Sequence, residues 1–281
     1  MSQTVLITGA SSGIGEELAR EYAKRGARLV LLARRLDRLQ QLADELRASG
    51  AVVSIHAADV TIEGQVAEAV RQCRESGVEL DLVYANAGFG VAGVLPRLQL
   101  EDYRRQFETN VFGLLRTIYE TLDSLSAARG RLVLVGSVAG HVAAPAASAY
   151  AMSKFAVRAL AESLRGDLRP LGIGVTLVSP GFVDSDIRRT DNRGVLQAEA
   201  PDPVPAWLRV PTTKAVKEIV RGVERGSAEI VVTGHGKVIV FLARHCPRLV
   251  RALILKTYRG RPEPKSAARD AAVATRSESP P

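Results

Sequence analysis

The sequence predicts a doubly wound α/β fold, a parallel sheet of about seven strands with helices on both faces. Three observations predict it. Short apolar runs alternate with amphipathic segments along most of the chain. The apolar runs lack strict polar alternation, as strands buried on both faces should. Glycines close several of the amphipathic segments, a common helix stop.

The elements follow in order. Thr4 to Thr8 reads as a strand, and Gly13 to Arg25 as a helix ended by Gly26. Arg28 to Ala33 is a strand rich in Leu and Val. Leu36 to Ser49 carries Leu36, Leu39, Leu42, Ala43 and Leu46 on one helical face and is closed by Gly50. Val52 to Ala57 is a third strand, Ile62 to Ser76 a helix, and Leu80 to Ala85 a fourth strand. One long helix is expected from Leu100 to Leu125. Leu132 to Gly136, Ala149 to Arg169 and Gly174 to Ser179 continue the strand–helix–strand rhythm, and Thr213 to Arg225 and Glu229 to Val232 end it. Such alternation forms right-handed βαβ units, and the Rossmann-like sheet they build binds ligands beyond the carboxyl ends of its strands. Residues 1–234 are thus expected to form one domain. The proline-rich connection 181–211 reads as a substrate loop or lid, 235–258 as a basic amphipathic segment, and 259–281 as a disordered tail.

Composition excludes several classes. With 281 residues, 46% hydrophobic and 24% charged, the chain has the profile of a globular protein. No apolar run approaches the roughly 20 residues of a membrane span, and no leader pattern precedes Val5-Leu6-Ile7. Cys73 and Cys246 lie far apart, and with His56, His141, His235 and His245 they show no metal-ligand spacing, so no metal is expected. The net charge of +8 is concentrated. Between Glu229 and Glu263 there is no acid, while Lys237, Arg244, Arg248, Arg251, Lys256, Arg259 and Arg261 fall there. A nucleic-acid surface would need such charge on the main domain, with aromatics or a reading motif, so none is expected. The segment instead suits either contact with an anionic membrane surface or a helix pair covering a cleft or subunit interface.

The chemistry begins at Thr8-Gly9-Ala10-Ser11-Ser12-Gly13-Ile14-Gly15, which follows the first strand and opens the first helix. Glycines allow the tight turn and let backbone approach a pyrophosphate, whose charge is favourable at a helix N-terminus. Where an NAD site would carry an acid at the end of the second strand, the chain has Ala33-Arg34-Arg35. A guanidinium can pair with a 2′-phosphate that an acid would repel, so NADP(H) is expected over NAD(H). Arg34, first after the strand, is the better candidate. Tyr150-Ala151-Met152-Ser153-Lys154 places a phenol and an ammonium on one helical face. A nearby ammonium lowers a phenol's pKa toward a range useful for proton transfer.

The TGxxxGxG spacing, the Asn86-Ala87-Gly88 triplet and the YxxxK pair resemble the short-chain dehydrogenase/reductase family over roughly Thr4 to Val232. Asn110, Ser137, Tyr150 and Lys154 match the family's catalytic tetrad in order and context. The resemblance implies hydride transfer between NADPH and a carbonyl carbon, with Tyr150 as general acid and Ser137 holding the substrate oxygen. It also implies that Lys154 binds the nicotinamide ribose, and that Asn110 holds a water linking Lys154 to solvent. Gly9, Ser11, Ser12, Gly13, Ile14 and Gly15 would hold the phosphates. Asp59 and Val60 would meet the adenine, and Asn86, Ala87 and Gly88 line the cofactor. Pro180, Gly181, Val183 and Ser185 would hold the carboxamide; Ser185 stands where the family has Thr. Candidate pocket residues are Phe89, His141, Ala143, Ala144, Phe182, Val183 and Ile187, with Trp207 and Leu208 on the lid. Their apolar character favours a lipophilic ketone or secondary alcohol, and Phe155 to Glu162 looks like branches acting on steroids and keto-lipids. NADP-dependent alcohol oxidation and a non-catalytic NADPH-binding regulator stay open as alternatives. A cytoplasmic homodimer or homotetramer is expected, with membrane contact only through 235–258.

Overall fold

The structure is a computed structural model; it describes residues 3–258 except Ala198, and the backbone alone at 257 and 258. The predicted tail at 259–281 lies outside the described residues. Seven parallel strands form one sheet: β1 (Thr4–Thr8), β2 (Arg28–Ala33), β3 (Val53–Ala57), β4 (Leu82–Ala85), β5 (Arg131–Val135), β6 (Gly174–Pro180) and β7 (Glu229–Val232). Their order is β3-β2-β1-β4-β5-β6-β7. The order reverses direction between β1 and β4, which opens a crevice at the carboxyl ends of those strands.

Side-chain alternation along the strands builds two cores. Val5 and Ile7 of β1 face one side, with Leu18 of α1 (Gly13–Lys24), Leu39 and Leu42 of α2 (Leu36–Ala48), and Ile219 of α7 (Thr212–Glu224). Leu6 faces the other side, with Val66 of α3 (Gln65–Glu75), Ile118 of α5 (Leu114–Ala127) and Val157 of α6 (Ser148–Asp167). Both faces of β1 are thus dry, and all five of its residues are buried. The predicted doubly wound architecture is the observed one.

One region departs from the sequence expectation and two give it form. The long helix expected over 100–125 is α4 (Leu100–Phe107) and α5, joined by a π-helical turn at Glu108–Gly113. Packing sets this turn: a Cβ on Gly113 would fall 2.5 Å from Val60 Cγ2, so the backbone passes directly over Val60. The 181–211 segment is an ordered strap, with short 3₁₀ turns at 186–189 and 206–208 and a bridge between Val183 and Val210. Arg188 pairs with Asp202 at 2.6 Å, and Asn192 exchanges two 3.0 Å bonds with the Ala92 backbone. Finally, 235–258 falls in two helices, α8 (Gly234–His245) and α9 (Pro247–Tyr258), split at Pro247. A proline ring fits a helix's first position but cannot continue one.

Candidate active site

Four loops meet at the carboxyl edge of β1, β4, β5 and β6. The first is the glycine turn. Thr8 Oγ accepts from the amides of Asn86 and Ala87 at 3.0 and 3.1 Å, and the Asn86 side chain donates to the Thr8 carbonyl at 2.9 Å. A Cβ on Gly15 would lie 2.4 Å from the Gly9 carbonyl, so only glycine closes this turn. Ser12 is extended and its side chain caps nothing, which leaves the first-turn amides of α1 open to an anion. Ile14 packs against the core below.

The two arginines take different places. Arg35 lies across the turn, donating to Ser11 Oγ at 3.1 and 3.2 Å and to Ser12 Oγ at 2.8 Å. The Arg34 side chain is 60% exposed and stands 3.8 Å from Asp59. Sequence order ranked Arg34 first; in the structure Arg35 is tied to the glycine turn, while Arg34 stands free of it beside Asp59. Asp59 is half-buried and accepts from the Thr61 amide and hydroxyl; Val60 is buried.

The Gly88–Val91 loop after β4 is clamped from the helix behind it. The Phe89 amide donates to Asn110 Oδ1 at 3.1 Å, and the Asn110 amide group returns a bond to the Phe89 carbonyl and another to Ser153 Oγ. Gln106 does the same one turn earlier, accepting from the Val91 amide at 2.6 Å and donating to the Phe89 carbonyl at 2.8 Å. Asn110 was expected and Gln106 was not. Its spacing of four from Asn110 puts both amides on one face, which was the available signal.

Ser137 ends the strand run and its hydroxyl accepts from the Ala139 amide at 3.1 Å. The same side chain faces the Tyr150 phenol. Burial holds that phenol above its ordinary value of 10.0, while the Ser137 hydroxyl and then the Arg188 charge work downward. Lys154 lies beneath, buried, donating to the Val135 carbonyl at 2.9 Å, with Nζ 5.8 Å from the Tyr150 ring centroid. Burial lowers its pKa from 10.5 to about 8. Arg188 of the strap, which the sequence reading passed over, adds a downward pull on the phenol. Val135 is the one acceptor of the Lys154 ammonium among the described residues, so two of its three N–H donors remain for a ligand. Those donors, the uncapped helix start and Arg35 suit the ribose and phosphates of a nicotinamide dinucleotide.

The last loop follows Pro180, whose strand position is paired with Val232. Val183 is buried, and Ser185 closes the ring: its Cβ lies 3.3 Å from where a Cβ on Gly13 would stand. The glycine turn and this loop thus face each other across the cleft.

The pocket residues divide. Ala143, Ala144, Phe182 and Trp207 are exposed, whereas Phe89 packs with Val91 and Ala149. His141 does not line the cleft. It is buried behind the Ser137 turn, 3.1 Å from Ser179 Oγ and 3.2 Å from Glu229, and burial lowers its pKa. Its nearness in sequence to Ser137 carried no information about its direction.

This arrangement, a dinucleotide turn facing a Tyr–Ser pair over a buried lysine, defines an oxidoreductase acting on hydroxyl or carbonyl groups. The sequence profile described as short chain dehydrogenase matches residues 3–195. A Myxococcus xanthus protein described as an uncharacterized oxidoreductase is 39% identical over 229 residues, 81% of this chain and 86% of that one. The 11-beta-hydroxysteroid dehydrogenase-like 4A of Arabidopsis thaliana is 34% identical over 254 residues, 88% of this chain and 82% of its own. A short-chain dehydrogenase from Sphingobium yanoikuyae solved with NADPH superposes with a TM-score of 0.73 at 28% identity, covering 95% of this chain and 99% of that one. A Burkholderia phymatum short chain dehydrogenase/reductase solved with NAD gives 0.77 at 25% identity, covering 94% and 98%. The chain belongs to the short-chain dehydrogenase/reductase family.

Proposed function

We propose that the protein is an NADPH-dependent reductase of lipophilic ketones. The carrying observation is the Tyr150 phenol, facing Ser137, set above the buried Lys154. When bound, the nicotinamide supplies the hydride. Ser137 holds the substrate oxygen, and Tyr150 gives its proton to the developing alkoxide. Lys154 offers its two remaining N–H groups to ribose hydroxyls. Asn110 holds the Phe89 backbone at the floor of the site. Gly9, Ser11, Ser12, Gly13, Ile14 and Gly15 take the pyrophosphate. Asp59, Val60, Asn86, Ala87 and Gly88 border the adenosine side, and Pro180, Gly181, Val183 and Ser185 the carboxamide. Arg35, with Arg34 beside it, gives the preference for a 2′-phosphate. The Arabidopsis relative's steroid description and the exposed apolar Phe182 and Trp207 support a bulky, apolar substrate.

Residues 1–234 act as the catalytic domain and 181–211 as its substrate strap. Phe112, Tyr119, Met152 and Phe155 stand exposed on the helices beside the site, and we assign a homodimer contact to them. Helices α8 and α9 expose Val238, Phe241, Leu249 and Leu253 beside Arg248 and Arg251, with no acid in either helix. A second copy docked there would oppose like charges, so an anionic membrane surface on a cytoplasmic protein is the favoured occupant. No described helix is long and apolar enough to cross a membrane. Charge reversal at Arg248 and Arg251 then abolishes co-sedimentation with anionic vesicles; wild-type protein that ignores such vesicles at low salt refutes the membrane contact.

The deciding experiment follows NADPH oxidation against steroid, retinoid, keto-sphingoid and simple ketones, and NADP⁺ reduction against the matching alcohols. Turnover of the bulky ketones above the simple ones is expected. Faster oxidation of the alcohols at neutral pH reverses the assigned direction. Tight NADPH binding without turnover of any substrate makes the protein a cofactor-binding regulator.

A further inference from the structure

Besides the Thr212 hydroxyl on the Asp184 carbonyl and Arg209 on the Asp184 carboxylate, four bonds hold the segment after Pro180. Two are backbone bonds to Val210, from the Val210 amide to the Phe182 carbonyl and from the Asp184 amide to the Val210 carbonyl, both 2.9 Å. A third runs from the Gly181 amide to the Val232 carbonyl at 3.3 Å. The fourth is of another kind: the Phe182 amide donates to Nε2 of His235 at 3.0 Å. That bond needs a lone pair on Nε2, so the ring proton must sit on Nδ1. Of the bonds to the segment's main chain, this one alone ends on a titratable group.

The surroundings are built around it. Thr233 Oγ accepts from the Gly236 amide at 3.1 Å, capping α8, and stands 3.0 Å from the same Nε2. Thr233 reaches this place with φ at +81°, a conformation costly for a β-branched residue. A Cβ on Gly181 would fall 2.3 Å from Thr233 Oγ and 2.7 Å from His235 Nε2, so any side chain at 181 would displace the ring. The Phe182 ring stacks on the imidazole at 5.3 Å between centroids and 24° between planes.

We propose that His235 is a positioning residue for the carboxamide loop, a latch that closes on the Phe182 amide only when its imidazole is neutral. The proposal rests on the reading that 180–185 holds the nicotinamide. A protonated ring would turn a donor toward a donor and swing away, releasing Phe182 and loosening Val183 beside it. The neighbouring charges do not favour the imidazolium. Glu218 on α7 pairs with Lys237 on α8, Glu229 on β7 with Arg244 at 2.5 Å, and Asp184 of the loop with Arg209 at 3.1 Å. Burial pushes the His235 pKa down, in the direction that keeps the latch closed at neutral pH. Because its folded pKa is depressed, the latch is complete above the ordinary histidine value of 6.5 and is lost as pH falls through the lower folded value.

The experiment measures dissociation constants for NADP⁺ and for adenosine 2′,5′-bisphosphate, which lacks the nicotinamide, by tryptophan fluorescence or calorimetry at about pH 7.5 and about pH 5.5. Wild type is compared with His235→Gln, whose amide oxygen offers an acceptor that does not titrate. Proton NMR of the wild-type histidines, with and without each ligand, reads the His235 pKa directly. Acidification should weaken NADP⁺ binding about threefold to tenfold more in wild type than in His235→Gln, with the bisphosphate equal in both. The NMR should show NADP⁺, and not the bisphosphate, lowering the His235 pKa. Comparing the two proteins at each pH cancels the ionisation of the 2′-phosphate itself. Equal acid sensitivity in both proteins, or a His235 pKa that NADP⁺ does not move, overturns the latch. Should His235→Gln fail to fold, the wild-type NMR decides alone. Failure of NADP⁺ to bind at either pH overturns instead the cofactor reading on which the latch rests.

Discussion

The glycine turn on one rim of the cleft hangs from the sheet through Thr8 and Asn86, whereas the 181–211 strap on the other rim is held by ion pairs and an imidazole. On the first rim the anchors are backbone groups, hydroxyls, the Asn86 carboxamide and the Arg35 guanidinium, none of which titrates near neutral pH. On the second, Arg188 and Arg209 both reach Asp202, and His235 holds Phe182. The difference separates two tasks. A turn that receives a dinucleotide benefits from a fixed shape, while contacts that can open suit the substrate strap proposed for 181–211.

The sharpest break comes where the rims converge. Tyr150→Phe keeps the packing of both and removes only the transferable proton. It should lower kcat by about 10²–10⁴-fold while NADP⁺ affinity changes less than about twofold. A variant retaining more than about a tenth of wild-type kcat would mean another group supplies the proton. Gly15→Ala attacks the fixed rim. Its methyl group meets the Gly9 carbonyl and the Asn86 amide, so overpacking should cost about 1–3 kcal/mol, read as a lower melting temperature together with weakened dinucleotide binding.

A smaller effect distinguishes the two arginines. Arg35→Ala should shift the NADPH to NADH ratio of kcat/KM toward NADH by about tenfold, and Arg34→Ala by less. An equal or reversed ranking would return Arg34 to first place. The smallest effect belongs to the strap. Arg188 and then burial set opposing pulls on Asp202, and its pKa falls from 3.8 to about 2. A depressed carboxylate stabilises the fold above its unfolded value and loses that contribution as pH falls through the folded one. The strap should therefore stay closed at neutral pH and loosen only toward pH 2 in wild type, whereas Asp202→Asn should raise substrate KM about threefold already at pH 7. An unchanged KM with an unchanged melting temperature would leave the Arg188–Asp202 pair without a role in closure.

How much of this was legible in the sequence follows the same division. The sheet, its helices and the positions of Ser137, Tyr150 and Lys154 could be read because periodicity and order are local properties. Which of Arg34 and Arg35 bonds the glycine turn could not, since it depends on how the backbone turns at the start of α2. Arg35 sits there with φ at −87° and ψ at 90°, which swings its side chain over Ser11. Spacing places Lys154 beneath Tyr150, but it says nothing of Arg188, thirty-eight residues beyond Tyr150 on a loop whose path the sequence does not specify. His235 was invisible for the same reason: its partner is fifty-three residues away.

The π-helical turn between α4 and α5 has a consequence for how this site tolerates changes in chain length. A π-helical turn takes up one residue more than the α-helical turn it replaces, so the surplus residue within 108–113 is absorbed without turning the flanking helices out of phase. An α-helix advances about 100° per residue, so a residue lost from regular α4 or α5 would swing everything beyond it by that angle. The helix is in effect two gears meshed to different partners, Phe89 through Gln106 and Asn110 and Val60 through Gly113, with the turn as the slack between them. A deletion within the turn would take up the slack; a deletion outside it would throw the whole train out of phase.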